Sequence, residues 1–212
     1  MKPDGLIVSA GFSSRMNQFK PLRNYEGIPF LFSIILKLSG VCSNIFIVTG
    51  FRAEDVREEV GRWLGRIPDD KWFTEFRISR ETWNNLPHQL EFVFNPDYAR
   101  GMFNSLQKGV NAMSRSEWIL YHFVDQPHIP VQFYSQFAEQ IAPAADWIQP
   151  KYEEKKGHPI LMSGSILAAI READSSASLK MVSGREDLKK KFWNCPYPEI
   201  LQDFDTESDL RF

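Results

Sequence analysis

Short apolar runs alternate with amphipathic stretches along most of this sequence. The runs are continuous and end in small or polar residues, which is typical of strands buried on both faces. They span residues 5–9, 44–50, 90–95 and 118–125. The stretches between them have apolar residues at helical spacing and span 29–39, 53–64, 104–113 and 131–141. Strands that alternate with helices predict right-handed crossovers, and therefore an α/β fold with a mostly parallel sheet.

Two segments interrupt this alternation. Residues 67–89 combine mixed polarity with aromatic residues and prolines, so an insertion and an extended helix both remain open. Residues 146–163 resemble two short strands around the polar stretch "KYEEKKGHP". No internal repeat or linker divides the chain, and residues 1–212 are expected to form one domain.

Composition narrows the class of protein. A net charge of -2 gives no electrostatic reason to expect a nucleic-acid or anionic-membrane partner. No apolar stretch is long enough to span a bilayer, and the first run is too short for a signal peptide. Cys42 and Cys195 form neither a disulfide framework nor a metal-binding pattern. We therefore expect a cytoplasmic protein whose thiols are free and buried.

Ligands of parallel sheets bind at the carboxyl ends of the strands, so the residues after each run are the candidate site. The first such loop is "SAGFSSRMNQFK", residues 9–20. Its small residues would let the backbone N–H groups approach and wrap an anion, and Arg15 and Lys20 would add charged contacts. This pattern suits a triphosphate. The alternative is a tight turn with a solvated arginine and lysine.

Acidic residues occur at the ends of two other predicted elements. Asp125 in "FVDQP" ends the fourth apolar run, where it could hold a divalent cation or cap a turn. In "DFDTESDL", Thr206 and Asp209 resemble a capping box at the start of a helix. That box does not account for Asp203 and Asp205, although a carboxylate at a helix start is favourable without any metal.

Two further motifs are ambiguous by themselves. His158 lies between a glycine and a proline in "GHP", and a histidine in such a stiff turn is more often structural than functional. The stretch "GMFNSLQKG" at 101–109 could place a glycine and a serine against a flat base. It could equally start a helix, with Asn104 as its N-cap.

These five motifs, in the order in which they occur along the chain, resemble the nucleotidyltransferase family of molybdenum cofactor cytidylyltransferase. The wider group includes the related guanylyltransferases and the sugar-phosphate and methylerythritol-phosphate nucleotidyltransferases. The resemblance extends from residue 5 to about residue 211. It implies a Rossmann-like three-layer α/β/α fold with a mostly parallel sheet. It also implies an Mg²⁺-dependent transfer of CMP from CTP to a phosphorylated small molecule, with release of pyrophosphate.

The resemblance also implies a set of site residues. Arg15, Lys20 and Asp125 would be catalytic, and Asp125 and Asp205 would hold Mg²⁺. Lys156, Gly157 and His158 would face the acceptor, together with residues 67–89. The nucleotide would contact Ser9, Ala10, Gly11, Ser13, Ser14, Arg15, Lys20, Gly101 and Ser105.

The sequence departs from the family pattern mainly on the acceptor side. Asn17 replaces the usual glycine after "SRM", Lys156 replaces the usual arginine before "GHP", and no arginine occurs at 174–178. The acceptor implied by the resemblance is molybdopterin, with a molybdoenzyme or its maturation chaperone as a further partner. A sugar or alcohol phosphate, or a relative that binds a nucleotide without turnover, remains an alternative. Ala10 favours CTP over GTP, because the guanylyl branch usually has glycine there.

Overall fold

The computed structural model describes residues 1–12, 19–174 and 176–204. The helices are α1 Phe30–Ser39, α2 Ala53–Leu64, α3 Asp70–Glu75, α4 Arg80–Gln89, α5 Met102–Ala112, α6 Val131–Ala138, α7 Gly164–Glu172 and α8 Leu179–Ser183. The strands are β1 Asp4–Ser9, β2 Asn24–Tyr25, β3 Ile28–Pro29, β4 Ile45–Thr49, β5 Leu90–Phe94, β6 Trp118–Phe123, β7 Trp147–Tyr152, β8 Lys155–Lys156, β9 Ile160–Ser163 and β10 Lys190–Asn194.

The main sheet has the strand order β10-β7-β9-β6-β1-β4-β5, and β8 pairs with β7. Strands β5, β4, β1 and β6 are mutually parallel, so their carboxyl ends lie at one edge of the sheet. In register, Ser9 is opposite Thr49 and Val8 is opposite Phe123. Strand β9 is antiparallel to both of its neighbours. The predicted α/β fold with a mostly parallel sheet is confirmed.

Apolar cores cover both faces of the sheet, which gives three layers. Helices α1, α2, α4 and α6 pack on one face, where Ile7, Ile47 and Leu120 point. Helices α5, α7 and α8 pack on the other face, against Leu6, Val48 and Tyr121. Adjacent residues of a strand point to opposite faces, so a continuous apolar run can serve both cores.

Residues 67–89 form two capped helices rather than one. The side chain of Asp69 accepts a hydrogen bond from the Lys71 N–H before α3, and that of Ser79 accepts one from the Thr82 N–H before α4. Trp72 and Trp83 pack against Phe32 of α1. None of these residues lines the cavity described below, so their position does not support the predicted contact with the acceptor.

Three predicted element bounds were wrong. Helix α5 begins at Met102, so Asn104 lies inside the first turn instead of capping it. Strand β6 ends at Phe123, which places Asp125 in the following turn. Helix α6 ends at Ala138, three residues before the predicted end.

Both cysteines are free and buried, as expected from the sequence. Burial raises the pKa of Cys42 and of Cys195, so both thiols are protonated at neutral pH. Within the described ranges, no helix combines the length and the apolar character needed to cross a bilayer.

Candidate active site

A cavity of about 380 Å³ lies at the carboxyl ends of β1 and β6. It is lined by Val8, Ser9, Gly11, Phe12, Lys20, Pro21, Tyr98, Ala99, Gly101, Met102, Ser105, Phe123, Val124 and Asp125. A larger hollow of about 630 Å³ lies at the amino ends of the same strands, beside Lys2 and Trp118. That hollow contains none of the residues that the sequence motifs indicate, so the smaller cavity is the candidate site.

Lys20 and Asp125 are distant in sequence and meet at the wall of this cavity. Lys20 begins a short 3₁₀ helix, Lys20–Leu22, that follows the loop after β1. Its Nζ lies 3.5 Å from Asp125 Oδ2, and the side chains are 10% and 24% exposed. A mostly buried ammonium beside a carboxylate is suited to an anionic ligand and its counter-cation.

At the end of β1, some side chains line the cavity and others pack in the core. Ser9 lines the cavity, and its buried Oγ has no hydrogen-bond partner among the described residues. The methyl group of Ala10 is instead part of the apolar core on the α5 side of the sheet. Gly11 and Phe12 line the cavity wall. Ser13, Ser14 and Arg15, predicted as neighbours of the phosphates, lie outside the described residues.

The start of α5 forms the opposite wall. Gly101 immediately precedes this helix with φ 109°, a backbone angle that strongly favours glycine. Ser105 is buried one turn into the helix and also lines the cavity. Its Oγ accepts a hydrogen bond from Asn95 Nδ2 at 3.0 Å. The N-terminus of α5, with its favourable dipole for anions, therefore opens beside the cavity.

Asp125 belongs to a loop that is attached to the C-terminal segment of the chain. The N–H of Phe204 donates to the Asp125 carbonyl at 2.9 Å. The Gln126 Nε2 donates to Asp203 Oδ1 at 2.9 Å and to the Gln202 carbonyl at 3.2 Å. From the core side, the Lys37 ammonium donates to the carbonyl of Pro127. The second predicted metal ligand, Asp205, lies outside the described residues.

The cavity offers an oxygen ligand of the kind that Mg²⁺ prefers. This cation is usually bound by one or two carboxylates together with substrate phosphates and water. Asp125 offers one carboxylate at the cavity wall, so the described residues fit such a site. Elsewhere in the described ranges, no group of three or more histidine, cysteine, aspartate or glutamate side chains is placed to hold a metal.

The GHP motif, residues 157–159, packs against a residue of the cavity wall. His158 donates its backbone N–H to the Ile200 carbonyl at 3.1 Å, and its ring centroid is 4.4 Å from that of Phe123. Phe123 in turn lines the cavity. Burial lowers the pKa of His158 to about 4, so the ring is neutral at neutral pH. The buried Nδ1 of His158 has no hydrogen-bond partner in the part of the chain that the structure describes.

The Lys156 side chain contacts the edge of the sheet and not the cavity. This exposed residue lies in β8, and its Nζ is 4.6 Å from the centroid of the Phe192 ring in β10. The contact is a cation–π interaction at the edge of the sheet. Lys156 is not part of the cavity lining.

Gly157 is predicted to be essential for the packing of this motif. A Cβ atom at this position would lie 2.5 Å from the Ile200 carbonyl oxygen. Gly157→Ala is therefore expected to lower the free energy of unfolding by about 1–3 kcal/mol, as overpacking does. Urea unfolding measures this change.

Gly61→Ala is the matched control, since a Cβ atom there would meet nothing within 4 Å. It lies inside α2, where alanine is favoured over glycine by about 0.5–1 kcal/mol. Equal unfolding free energies for the two variants would contradict the packing argument.

Two polar residues adjacent to the cavity lining were also not predicted as functional from the sequence. Asn95 follows β5 and contacts Ser105, and Gln126 joins the Asp125 loop to the C-terminal segment. Both are next to a proline at the end of a strand, Pro96 and Pro127. That position was the available signal, because loops at this edge of a parallel sheet contact ligands.

Comparison with known proteins supports one family. The model of the MobA-like NTP transferase domain matches residues 5–190. The molybdenum cofactor cytidylyltransferase of Escherichia coli (strain K12) is 26% identical over 208 residues, which cover 98% of this chain and 93% of that protein.

Solved structures show the same fold. A nucleotidyl transferase from Methanothermobacter thermautotroptrophicus has a TM-score of 0.71 and 18% identity, covering 98% of this chain and 94% of that one. Rv0371c from Mycobacterium tuberculosis H37Rv, in a complex with manganese, has a TM-score of 0.67 and 16% identity, covering 99% and 96%. Because the family model matches most of its length, this chain belongs to the MobA-like NTP transferase family and is a nucleotidyltransferase.

Proposed function

We propose that this enzyme transfers CMP from CTP to the phosphate of molybdopterin, with Mg²⁺ and with release of pyrophosphate. The observation that carries the proposal is the meeting of Lys20 and Asp125 in one cavity at the carboxyl ends of β1 and β6. The acceptor is inferred from the relative in Escherichia coli, which is named as a molybdenum cofactor cytidylyltransferase.

The chemistry requires little beyond positioning and charge neutralisation. An oxygen of the acceptor phosphate attacks the α-phosphorus of CTP. The bond from that phosphorus to the oxygen that bridges the α- and β-phosphates breaks, and this oxygen leaves with pyrophosphate. An ionised phosphate is already a nucleophile, so no side chain has to remove a proton. Catalysis of this kind relies on orientation and on electrostatic stabilisation of the transferred group.

We assign a separate role in this reaction to each of the candidate site residues. The Lys20 ammonium binds phosphate oxygens and offsets the charge that develops on the departing pyrophosphate. Asp125 would hold Mg²⁺, with Asp205 as a second ligand, and the bound cation would neutralise phosphate oxygens. Arg15, Ser13 and Ser14 are proposed to contact the triphosphate from the loop after β1. Ser9, Gly11, Gly101 and the backbone of Ala10 are proposed to contact the nucleotide, with the base against Ser105.

The preference for CTP depends on the relative rather than on Ala10. The Ala10 methyl group packs in the apolar core, and Ala10 is not part of the cavity lining. The base preference is therefore tested by a thermal-shift screen of the four nucleoside triphosphates with Mg²⁺. We expect CTP to raise the midpoint temperature most, because a ligand that binds only the folded state stabilises it. A larger shift with GTP would contradict the proposal.

His158 is proposed to serve the acceptor. Its neutral ring lies behind Phe123, outside the cavity lining, and its buried Nδ1 has no hydrogen-bond partner among the described residues. The ring can therefore form a hydrogen bond but cannot supply a charge. His158→Ala is expected to raise the KM of the acceptor about fivefold to tenfold, since one hydrogen bond contributes about 1 kcal/mol. The KM of CTP should remain unchanged.

Steady-state kinetics with each substrate varied in turn measure this difference. His88→Ala is the matched control, because His88 is an exposed residue of α4. A higher KM for CTP with an unchanged acceptor KM would mean that the two halves of the site are assigned the wrong way round.

The alternative acceptor is a sugar or alcohol phosphate. Lys156 contacts Phe192 at the sheet edge instead of the cavity, so a predicted phosphate contact is missing from the described wall. A smaller sugar or alcohol phosphate would need fewer contacts than a pterin. Turnover with such a phosphate and none with molybdopterin would favour this class. A molybdoenzyme or its maturation chaperone is proposed as the recipient of the product only for the molybdopterin reaction.

A further inference from the structure

Asn95 is a buried amide with a fixed orientation. It is 1% exposed, and its backbone N–H donates to the Thr49 carbonyl at 2.8 Å. The side-chain Oδ1 accepts the Asp97 N–H at 3.1 Å. A backbone N–H can only donate, so the oxygen of the amide must face Asp97. The amide nitrogen therefore points the other way.

The two hydrogens of that nitrogen have two acceptors. Nδ2 lies 3.0 Å from Asn104 Oδ1 and 3.0 Å from Ser105 Oγ. The first acceptor is an amide oxygen inside α5, and the second is the hydroxyl that lines the cavity. Asn95 thus uses its full donor capacity, and Ser105 receives one of its hydrogens.

This contact restricts what the Ser105 hydroxyl can do. A serine hydroxyl has one hydrogen and two lone pairs, and Asn95 occupies one lone pair. The hydrogen cannot point at Asn95, because a donor is already there. Among the described residues, its other acceptor is the Gly101 carbonyl at 3.5 Å, which is the outer limit of a hydrogen bond. The hydrogen is therefore available to a ligand in the cavity.

We propose that Asn95 is a positioning residue for base recognition, which fixes the Ser105 hydroxyl as a hydrogen-bond donor to the nucleotide base. The inference rests on the proposed function, in which the base lies against the start of α5. The matching group on the ligand is a carbonyl oxygen or an unprotonated ring nitrogen. Cytosine presents both at O2 and N3, whereas its amino group would meet a second donor and be disfavoured.

Asn95→Asp reverses the polarity of this contact with almost no change in shape. A carboxylate only accepts, so the Ser105 hydroxyl would turn its hydrogen toward residue 95 and away from the base. We expect the dissociation constant of CTP to rise about tenfold, which corresponds to about 1.4 kcal/mol. Binding of ribose 5′-triphosphate, which has no base, should stay within twofold. Isothermal titration calorimetry with Mg²⁺ measures both ligands.

A double-mutant cycle separates positioning from a general structural role. In a Ser105→Ala background, Asn95→Asp should have no further effect on CTP, because coupled residues are not additive. Asn104→Ala is the matched control, since it removes the other acceptor of Asn95 and keeps Ser105. It should leave both dissociation constants unchanged. If Asn95→Asp does not fold, Asn95→Ala replaces it, with an expected CTP-specific loss of about twofold to fivefold.

The outcomes are distinguishable. Weaker binding of CTP and ribose 5′-triphosphate by the same factor, or an unchanged effect of Asn95→Asp in the Ser105→Ala background, would overturn this inference alone. Equal affinity of the wild-type protein for the two ligands would overturn the placement of the base, and with it both this inference and that part of the proposed function.

Discussion

Asp125→Asn is expected to reduce kcat about 10²–10³-fold, because one preorganised electrostatic group of an active site contributes that much. Asparagine retains the size of the side chain and removes its charge. The residue is at the cavity wall beside Lys20, so the lost charge should affect the ligand and the proposed cation rather than the core. Pyrophosphate release at saturating CTP, acceptor and Mg²⁺ measures the effect.

Asp146→Asn is the matched control for this variant. Asp146 precedes β7, and its carboxylate accepts hydrogen bonds from Ser163, Ser165 and the Lys189 N–H. These bonds are structural, so the control should lose stability but retain its kcat. An Asp125→Asn variant with a kcat within twofold of the wild type would remove Asp125 from the proposed mechanism.

Lys20→Met is expected to weaken the binding of CTP by about 1.5–3 kcal/mol, the contribution of a hydrogen bond to a charged group. This corresponds to a dissociation constant about tenfold to 150-fold higher. Methionine keeps an apolar stem in a position that is only 10% exposed, so the fold should tolerate the change. Cytidine, which has no phosphate, should bind the variant as it binds the wild type.

Lys191→Met provides the matched comparison. Its ammonium donates to the Gln140 carbonyl at 2.9 Å, and it lies in β10, outside the cavity lining. This variant should bind CTP normally. If Lys20→Met weakened CTP and cytidine equally, the lysine would be acting on the base or on the fold instead of on the phosphates.

Local pattern was sufficient to predict the parallel half of the sheet. Strands β1, β4 and β5 were expected within one or two residues, because each is a continuous apolar run between polar segments. The end of β6 was placed too late for a physical reason. Val124 packs against the core although Phe123 is the last residue paired with β1, so the apolar run continues beyond the ladder.

The last third of the fold was harder to predict. Strand β10 was not identified, because its sequence "KKFWN" does not follow its exposure: Phe192 is exposed at the sheet edge, whereas Lys191 is half-buried. The insertion of β9 between β6 and β7 is a long-range pairing, and periodicity does not encode strand order. Helices α7 and α8 were also not identified.

In the candidate site, too, local features could be predicted and long-range contacts could not. Lys20 and Asp125 could be selected from strand-end chemistry alone, and the structure places them 3.5 Å apart. The position of Gln126 at the strand end was visible in the sequence, but its contacts were not, because its acceptors come 74 to 77 residues later in the chain. Asn95 is closer in sequence to Ser105, yet its importance depends on the amide orientation that Asp97 imposes.

The most direct test of the proposed function is the fate of the α-phosphate of CTP. The protein is incubated with molybdopterin, Mg²⁺ and CTP labelled with ³²P at either the α- or the γ-phosphate, and the products are separated. The proposal predicts that the α-label enters the pterin product in amounts equal to the pyrophosphate released, while the γ-label appears only in pyrophosphate. Transfer of the γ-label to the acceptor, or release of pyrophosphate without labelled pterin, would contradict cytidylyl transfer to molybdopterin.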